Sequence, residues 1–356
     1  MTALSAVAGR RKLLGPWLVL LVLLALALIM IAIAATVGTA NIPVSALVRF
    51  LTTGDAGDPA WTVLLDRVRM PRIGTAAAAG AGLALAGLVM QTLFANPLAD
   101  PYVLGISSGA SLGVAVVTLG GGTLGAGFVA ITGAGRIGVV AAAAVGALAV
   151  LLLILLFGRW ISSVVSLLII GVMVSSAVSA VTSLLLAFAE PARLQQFITW
   201  GLGSFSGVPR GDMLIMIVII GGSGIALLGL SQSLNALLLG ERYAQTMGMR
   251  LRLIRSLAII ATAVIAGTVT AYCGPIAFLG IAVPHLARLV IGTSDHRVLL
   301  PATLLLGVGV SVLCSLITQA PPGDLVLPVN VVSALVGVPV VLAVLLRSRR
   351  LAAGAV

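Results

Sequence analysis

The sequence predicts an all-α, polytopic membrane protein with about ten transmembrane helices. Of its 356 residues, 60% are hydrophobic and only 8% are charged, whereas soluble domains have roughly 45–50% apolar and about 25% charged residues. The mean hydropathy is +1.25. Apolar runs recur along the whole chain, and most approach the roughly 20 residues that a helix needs to cross a bilayer. We therefore interpret residues 1–356 as a single transmembrane domain.

The candidate spans are apolar runs separated by polar or glycine-rich loops. The first run follows the basic residues Arg10, Arg11 and Lys12 and exceeds the roughly 7–15-residue apolar core of a signal peptide, so it is interpreted as a span. In chain order the runs are 14–37, 73–94, 103–119, 137–157, 162–189, 213–230, 256–272, 274–291, 299–317 and 327–346.

Local composition explains where individual spans begin and end. The stretch 38–72 contains three aspartates and is interpreted as extramembrane. ANPLADPY (95–102) interrupts the chain with two prolines and Asp100. In the third span, Gly105, Gly109 and Gly113 are four residues apart on one helical face, which predicts close packing against another helix.

One polar segment stands out between the sixth and seventh spans. LNALLLGERYAQTMGMRLRLIR (234–255) carries Glu241 and four arginines, and each charge would cost about 2.5–3.5 kcal/mol at the centre of a bilayer. The segment is therefore predicted to be an aqueous loop with one or two short helices. Two interpretations remain open, a basic cytoplasmic loop and a docking surface for a soluble partner.

The positive charge does not indicate nucleic-acid binding. The net charge is +11, but the basic residues are scattered at the ends of apolar runs and do not cluster on one face. Lys12 is the only lysine and no glycine-rich turn precedes it, so the chain lacks the phosphate-binding loop of nucleotide hydrolases. Any ATP hydrolysis must then belong to a partner, and no cofactor is expected.

The basic loops predict the orientation of the chain. With ten crossings, both termini and the segment 234–255 are expected in the cytoplasm, together with most of the arginines. Arg67, Arg69 and Arg72 then fall on the outer face, against the rule. They are either a surface that attracts an acidic partner or solvated anchors at the membrane interface.

The spans lack the residues of an ion-coupled carrier. The acidic residues lie at or near loop ends, whereas proton relays place Asp, Glu or His inside the membrane. An ATP-independent carrier or passive pore remains an alternative, because small polar groups can line a pore. The basic loop on one face and the arginine cluster on the other favour a transporter driven by an external ATPase.

Seven stretches occur in order over nearly the whole chain. They are RVRMPR (67–72), QTLFANPLADPYVLGISSGASLG (91–113), WGLGSFSG (200–207), LLLGERYAQTMGM (237–249), GPIAFLGIAVPHLARL (274–289), DHRVLLP (295–301) and LPVNVVSALVGVP (327–339). Together they resemble the FecCD family, the permease subunits of bacterial ABC importers for iron–siderophore, haem and cobalamin uptake.

The resemblance implies a type II ABC importer permease fold with ten spans in the bacterial inner membrane. Such a subunit pairs with a second copy or a paralogous permease, and the cargo path lies at their interface. Two cytoplasmic ATP-binding subunits supply the energy, and an extracytoplasmic binding protein delivers the cargo. The permease itself catalyses no reaction. The cargo implied here is a ferric siderophore, with haem and cobalamin as alternatives.

The resemblance also assigns sites. Residues 231–256 become the coupling segment that contacts the ATPase, with Glu241, Ala244 and Met247 facing it. The full coupling set is Leu239, Gly240, Glu241, Ala244, Met247 and Gly248. Arg69 and Arg72 correspond to the positions that dock the binding protein. The translocation pathway is assigned to Asn96, Pro97, Ser107, Ser108, Ser176, Ser179 and Ser183. Gln319 and Val326 depart from the family pattern, which often has a basic residue and a glutamate there, although Asp324 lies two residues earlier.

Overall fold

The computed structural model describes residues 15–38, 40–119, 136–160, 164–320 and 326–353. The basic stretch 10–12 and Asp324 lie outside these residues. The described helices are α1 (Pro16–Thr36), α2 (Val44–Thr53), α3 (Pro59–Val63), α4 (Met70–Leu93), α5 (Ile106–Leu119), α6 (Arg136–Gly158), α7 (Val164–Ala187), α8 (Pro191–Gly201), α9 (Arg210–Gly229), α10 (Ser231–Leu238), α11 (Glu241–Thr246), α12 (Leu251–Cys273), α13 (Leu279–Ile291), α14 (His296–Ile317) and α15 (Val329–Ala353).

The all-helical membrane architecture expected from the sequence is confirmed. Within the described ranges, seven helices are long and apolar enough to cross a membrane, and α4 extends through α3 into one helical stretch, Pro59–Leu93. The shorter apolar helices α5, α13 and α15 occupy the remaining three predicted spans. The other helices, α2, α8, α10 and α11, lie in the loops between them.

α4 is the centre of the bundle. It packs against α9, α12, α13 and α14, and its residues are buried on nearly every face. This is possible because its sequence is rich in alanine and glycine: a methyl group at Gly80 would overlap the Gly307 carbonyl oxygen of α14. Membrane helices gain stability from such close packing, since lipid provides no hydrophobic expulsion.

Two of the three glycines of the third span make the predicted contact, whereas Gly105 precedes α5, has φ +78° and lies against Ser175 of α7. α5 packs along α6, where a methyl group at Gly109 would overlap the carbonyl oxygen of Gly146, and one at Gly113 would overlap that of Ala142. Antiparallel backbones therefore touch here, and any larger side chain would separate them.

Irregular backbone precedes two of the shorter apolar helices. One is α5, whose described part is Ile106–Leu119. The preceding segment turns back into the bundle, where Asp100 accepts a hydrogen bond from the Tyr102 amide at 2.8 Å. Such backbone is tolerated at membrane depth only when protein surrounds it.

Irregular backbone also precedes the second of these helices, α13. Residues 274–278 precede the 13-residue α13, and Asn330 of α15 satisfies their polar groups. Its Oδ1 accepts from the Ala277 amide at 2.9 Å, and its Nδ2 donates to the Pro275 carbonyl at 2.6 Å. One side chain thus replaces the hydrogen bonds that a helix would have made.

Candidate functional site

The segment predicted to couple to an ATPase, called the coupling segment below, is a helix–turn–helix at one end of the bundle. α10 and α11 are joined at Gly240, whose φ is +101°, and α11 is followed by Gly248, with φ +80°. Residues with a side chain rarely adopt these conformations. At either glycine, the space that a methyl group would occupy has no other atom within 4 Å, so glycine is required by backbone conformation and not by lack of space.

An exposed apolar edge runs along this segment. Leu239 is 65% exposed and Met247 is 63% exposed, with Tyr243 between them at 52%. Large apolar side chains in an aqueous loop are typical of a surface that a partner covers. Met247 is therefore accessible to a partner, and Leu239 and Tyr243 extend the same surface.

Of the other predicted coupling residues, Ala244 is buried and Glu241 is partly exposed. Ala244 is fully buried, packed with Ala236 and Leu251, because α11 folds back onto α10 and α12. Its expected position facing a partner is therefore wrong. Glu241 forms an ion pair with Arg255 of α12, which ties the start of α11 to the bundle while leaving half of the Glu241 side chain exposed.

Asn235 connects the coupling segment to the membrane-spanning core. Its Nδ2 donates to Asp295 Oδ1 at 2.6 Å, so its Oδ1 points to His296. There it accepts from the backbone amide at 2.8 Å and lies 2.9 Å from the ring Nδ1. Because an amide oxygen only accepts, His296 Nδ1 carries the proton. His296 Nε2 in turn lies 2.8 Å from Thr92 Oγ1 at the end of α4.

Asp295 caps the start of α14 within this cluster. The backbone amide of Arg297 and the side chain of Asn235 both donate to its carboxylate and lower its pKa below the ordinary value of 3.8. The carboxylate is thereby held in its charged form at neutral pH. We call Thr92, Asn235, Asp295 and His296 the anchor cluster.

A second set of polar contacts joins α13 to the same end of α4. Arg288 donates to Gln91 Oε1 at 2.6 Å, and His285 Nε2 donates to the Pro97 carbonyl at 2.9 Å. Asn96 accepts the Leu98 amide at 2.9 Å. Asn96 and Pro97 therefore form a turn that packs against α13 at the coupling end.

Arg69 and Arg72 do not lie on the surface, contrary to the docking prediction. Arg69 is 3% exposed, and its guanidinium donates to the Ala35 carbonyl at 2.6 Å and to the Ala40 carbonyl. It lies in a π-helical turn, Leu64–Arg69, directly before the proline-containing start of α4. Arg72 is buried to a similar extent. Arg69 holds the end of α1, and neither arginine can present its charge to a partner in this conformation.

The exposed charges at that end belong to other residues. Arg210 pairs with Asp66, and Arg49 pairs with Asp55 at 2.9 Å. Arg67, the remaining member of the sequence cluster, is exposed.

The serines assigned to the pathway lie on two facing helices. Ser107 and Ser108 are half-buried in α5, and Ser108 Oγ lies 2.6 Å from Ser175 Oγ of α7. Ser176, Ser179 and Ser183 are exposed on α7, the candidate span that this chain buries least. A polar stripe on an unburied membrane helix is typical of a face that meets protein or water.

Comparison with known proteins identifies the class. The model of the FecCD transport family matches residues 23–347. The chain belongs to the FecCD transport family. It is 37% identical over 306 residues to the vitamin B12 import system permease protein BtuC of Citrobacter koseri, covering 85% of this chain and 88% of that protein.

Two further relatives agree on the architecture of this FecCD permease. The uncharacterized ABC transporter permease protein YvrB of Bacillus subtilis is 34% identical over 329 residues, or 90% of this chain and 91% of that protein. A solved structure, described as a putative metal-chelate type ABC transporter in an inward-facing conformation, superposes with a TM-score of 0.81 at 28% identity. The match covers 94% of this chain and 100% of that one. This FecCD chain is therefore a membrane permease of an ABC importer.

Sequence reasoning misses the anchor cluster and the role of Asn330. In the sequence, His296 reads only as a helix-end residue, and Asn235 is one polar position in a basic loop. The two residues are 61 positions apart, so no local pattern could pair them. The available signal is Asp295 directly before a span, because aspartate is a preferred residue at the N-cap of a helix.

Proposed function

We propose that this chain forms the translocation pathway of an importer whose ATP-binding subunits dock on the outward edge of α10 and α11. The observation that carries the proposal is an apolar edge (Leu239, Tyr243 and Met247) on a short helical segment that is bonded to the spanning core. An apolar edge exposed to water is unfavourable, and a partner that covered it would remove this cost.

The anchor cluster supplies the mechanical link. A displacement of α10 acts through Asn235 on Asp295 and His296, which begin α14, and through His296 on Thr92 at the end of α4. Packed helices move as rigid bodies and not by continuous deformation. Closure of the ATP-binding subunits would thereby tilt α4 and α14 together.

A second permease copy, or a paralogue, completes the pathway on the exposed face of α7. The supporting observation is the stripe of Ser176, Ser179 and Ser183, which faces away from this chain's own core. Hydroxyls bind a passing cargo weakly, which suits a path that must release it. Ser108 and Ser175 extend the polar lining inward.

The orientation in this proposal places both termini and the coupling segment in the cytoplasm. The opposite end, with α2, α3 and exposed Arg67, then receives an extracytoplasmic binding protein with an acidic surface. Charge pairing at such a rim raises the association rate more than the affinity. The buried pair Arg69 and Arg72 supports that end structurally.

The proposed cargo is a metal chelate. Relatives named for vitamin B12 import favour cobalamin, which the sequence leaves open as an alternative. The expectation of a ferric siderophore is not confirmed, although the structural neighbour is described as metal-chelate type. The test is growth and radiolabelled uptake in a strain lacking this gene, supplied in turn with cobalamin, ferric siderophores and haem. Uptake lost for cobalamin alone identifies that cargo; loss for one siderophore alone restores the iron interpretation.

The ATPase contact has a separate test. Changing Leu239 and Met247 to Asp should abolish co-purification of a Walker-type ATP-binding subunit, because charge replaces the apolar edge. Val44→Asp, an equally exposed apolar position at the other end of the bundle, should leave co-purification intact. Recovery of no ATP-binding subunit with the wild-type chain would favour an ATP-independent carrier or pore.

A further inference from the structure

A cavity of about 580 Å³ lies where α6, α7, α11 and α12 meet, beside the coupling segment. Its lining has an apolar wall and a charged wall. Ile154, Leu167 and Ile259 contribute an apolar wall from three membrane-spanning helices, and the other wall carries four arginines and one carboxylate. These charged residues are Arg159, Arg250, Arg252, Arg255 and Glu241. We call this cavity the basic pocket.

Among the described residues, the arginines of the basic pocket outnumber the carboxylate that lines it. Arg255 pairs with Glu241, which leaves Arg159, Arg250 and Arg252. All three are exposed, and in the part of the chain that the structure describes they form no ion pair. The pocket therefore concentrates positive charge from two helix ends that are distant in sequence, and such a concave surface attracts anions.

Its depth is that of a membrane–water boundary. Trp160 follows Arg159 directly, is 72% exposed and packs edge-on against Phe157, with ring centroids 6.4 Å apart. Exposed tryptophan beside arginine at the end of a span is typical of the interfacial belt. We therefore expect the apolar wall on the hydrocarbon side and the arginines at headgroup level.

We propose that the basic pocket binds the phosphate headgroup of an anionic phospholipid, with an acyl chain along Ile154 and Leu167. Arginine forks match phosphate oxygens in bidentate geometry, and basic pockets between spanning helices are known to hold acidic headgroups. A soluble phosphate compound shares the headgroup chemistry but would leave the apolar wall unused. The proposal rests on the proposed orientation only for which leaflet supplies the lipid.

Occupancy of the basic pocket would act on the coupling segment. Glu241 begins α11 and Arg255 lies one turn into α12, and both line the pocket. A bound headgroup would therefore stabilise the position of α11 from the membrane side, while the ATP-binding subunit contacts it from outside. Anionic lipid should raise the cargo-stimulated ATPase rate of the assembled importer.

The primary experiment measures lipid retention by the purified full chain. Native mass spectrometry would compare phosphatidylglycerol with phosphatidylcholine for wild-type protein and for Arg159→Gln/Arg252→Gln. We expect the wild type to prefer the anionic lipid and the double variant to lose about 25-fold in affinity, at about fivefold for each arginine. Arg297→Gln, an exposed arginine at the same end but outside the pocket, should bind as the wild type does.

Each alternative outcome is distinguishable. Equal retention of both lipids, or an unchanged double variant, overturns the proposal. Displacement of phosphatidylglycerol by millimolar inorganic phosphate would assign the pocket to a soluble phosphate compound instead. Arg159→Lys/Arg252→Lys should restore most of the preference, which separates lost charge from misfolding. Because this assay contains neither ATP-binding subunit nor cargo, its failure is independent of a failure of the proposed function.

Discussion

Asn235 is the residue that joins α10 to the start of α14. It makes three polar contacts, to the Asp295 carboxylate, the His296 amide and the His296 ring. Replacement of Asn235 removes both its amide donor and its carbonyl acceptor, and leaves His296 Nδ1–H without its partner. A buried polar group that loses its partner costs about 1–3 kcal/mol.

Asn235→Ala should therefore uncouple ATP hydrolysis from transport before it prevents folding. We expect cargo uptake to fall several-fold while ATPase activity of the assembled complex persists, because α10 can move without carrying α14. The control is Gln232→Ala, which changes an exposed side chain on the same helix and should leave both rates unchanged. Equal loss of uptake and ATPase activity would instead indicate that Asn235 supports assembly.

Asp295 gives this cluster a pH dependence. Its pKa is lowered in the folded protein, by the Arg297 amide first and by Asn235 second. Its contribution to stability is therefore fully present above the ordinary carboxyl pKa and is lost as the pH falls through the folded value. Thermal unfolding of the purified chain, followed from neutral pH down to about pH 3, should show this loss. Asp295→Asn should flatten that part of the profile. An identical profile in the variant would show that Asp295 does not cause the loss of stability at low pH.

The α10–α11 turn shows what can be inferred from sequence at the level of an element. The short helices predicted for the polar run 234–255 are present as α10 and α11, because backbone preference is a local property. Its last five residues instead begin the long helix α12, Leu251–Cys273. Which side of α11 faces outward is not a local property. Ala244 turns inward because α10 and α12 pack on it, and their relative placement depends on helices far along the chain.

Gly248→Ala should weaken coupling through backbone strain alone. The residue has φ +80° and no neighbouring atom where the methyl group would lie, so the cost is the left-handed conformation, about 1–2 kcal/mol.

Gly248→Arg adds bulk and charge beside the proposed partner surface and should abolish transport while the chain still inserts. The matched control is Gly222→Ala in α9, which also has open space but a helical backbone, and should be neutral or slightly stabilising. Normal uptake by Gly248→Arg would refute the coupling assignment.

At the scale of the whole molecule, apolar length predicts the long spans, because a helix needs about 20 residues to cross the bilayer. In the described ranges seven helices have that length, and shorter apolar helices occupy the other three predicted spans. The side chains between spans are less predictable. Arg69 and Arg72 lie in an arginine-rich stretch at a helix start, a pattern that indicates an exposed basic cluster. In the structure Arg69 is buried instead, because it donates a hydrogen bond to the Ala35 carbonyl at the end of α1. The two residues are 34 positions apart, so their contact depends on how the end of α1 and the start of α4 are placed relative to each other.

The exposed stripe of α7 predicts the assembly. Ser179→Cys should form an intermolecular disulfide on mild oxidation in membranes, because α7 would face its counterpart in the partner permease. Val218 of α9 is 73% exposed. Val218→Cys should remain monomeric, because we expect this side of α9 to contact lipid. The native cysteines Cys273 and Cys314 are buried and should not react. Cross-linking of Val218→Cys but not Ser179→Cys would move the interface to α9.

The short α13 affects how this protein enters the membrane during synthesis. A helix of 13 residues is a poor signal for a translocation channel that recognises about 20 apolar residues. α13 should therefore be retained in the bilayer only through α4, whose backbone it touches where Gly280 meets Gly87. A nascent chain ending after α13 should stay in the membrane with wild-type α4, whereas Gly87→Leu should let α13 slip out. α13 would then enter the bilayer against a helix already in place and not as an independent span.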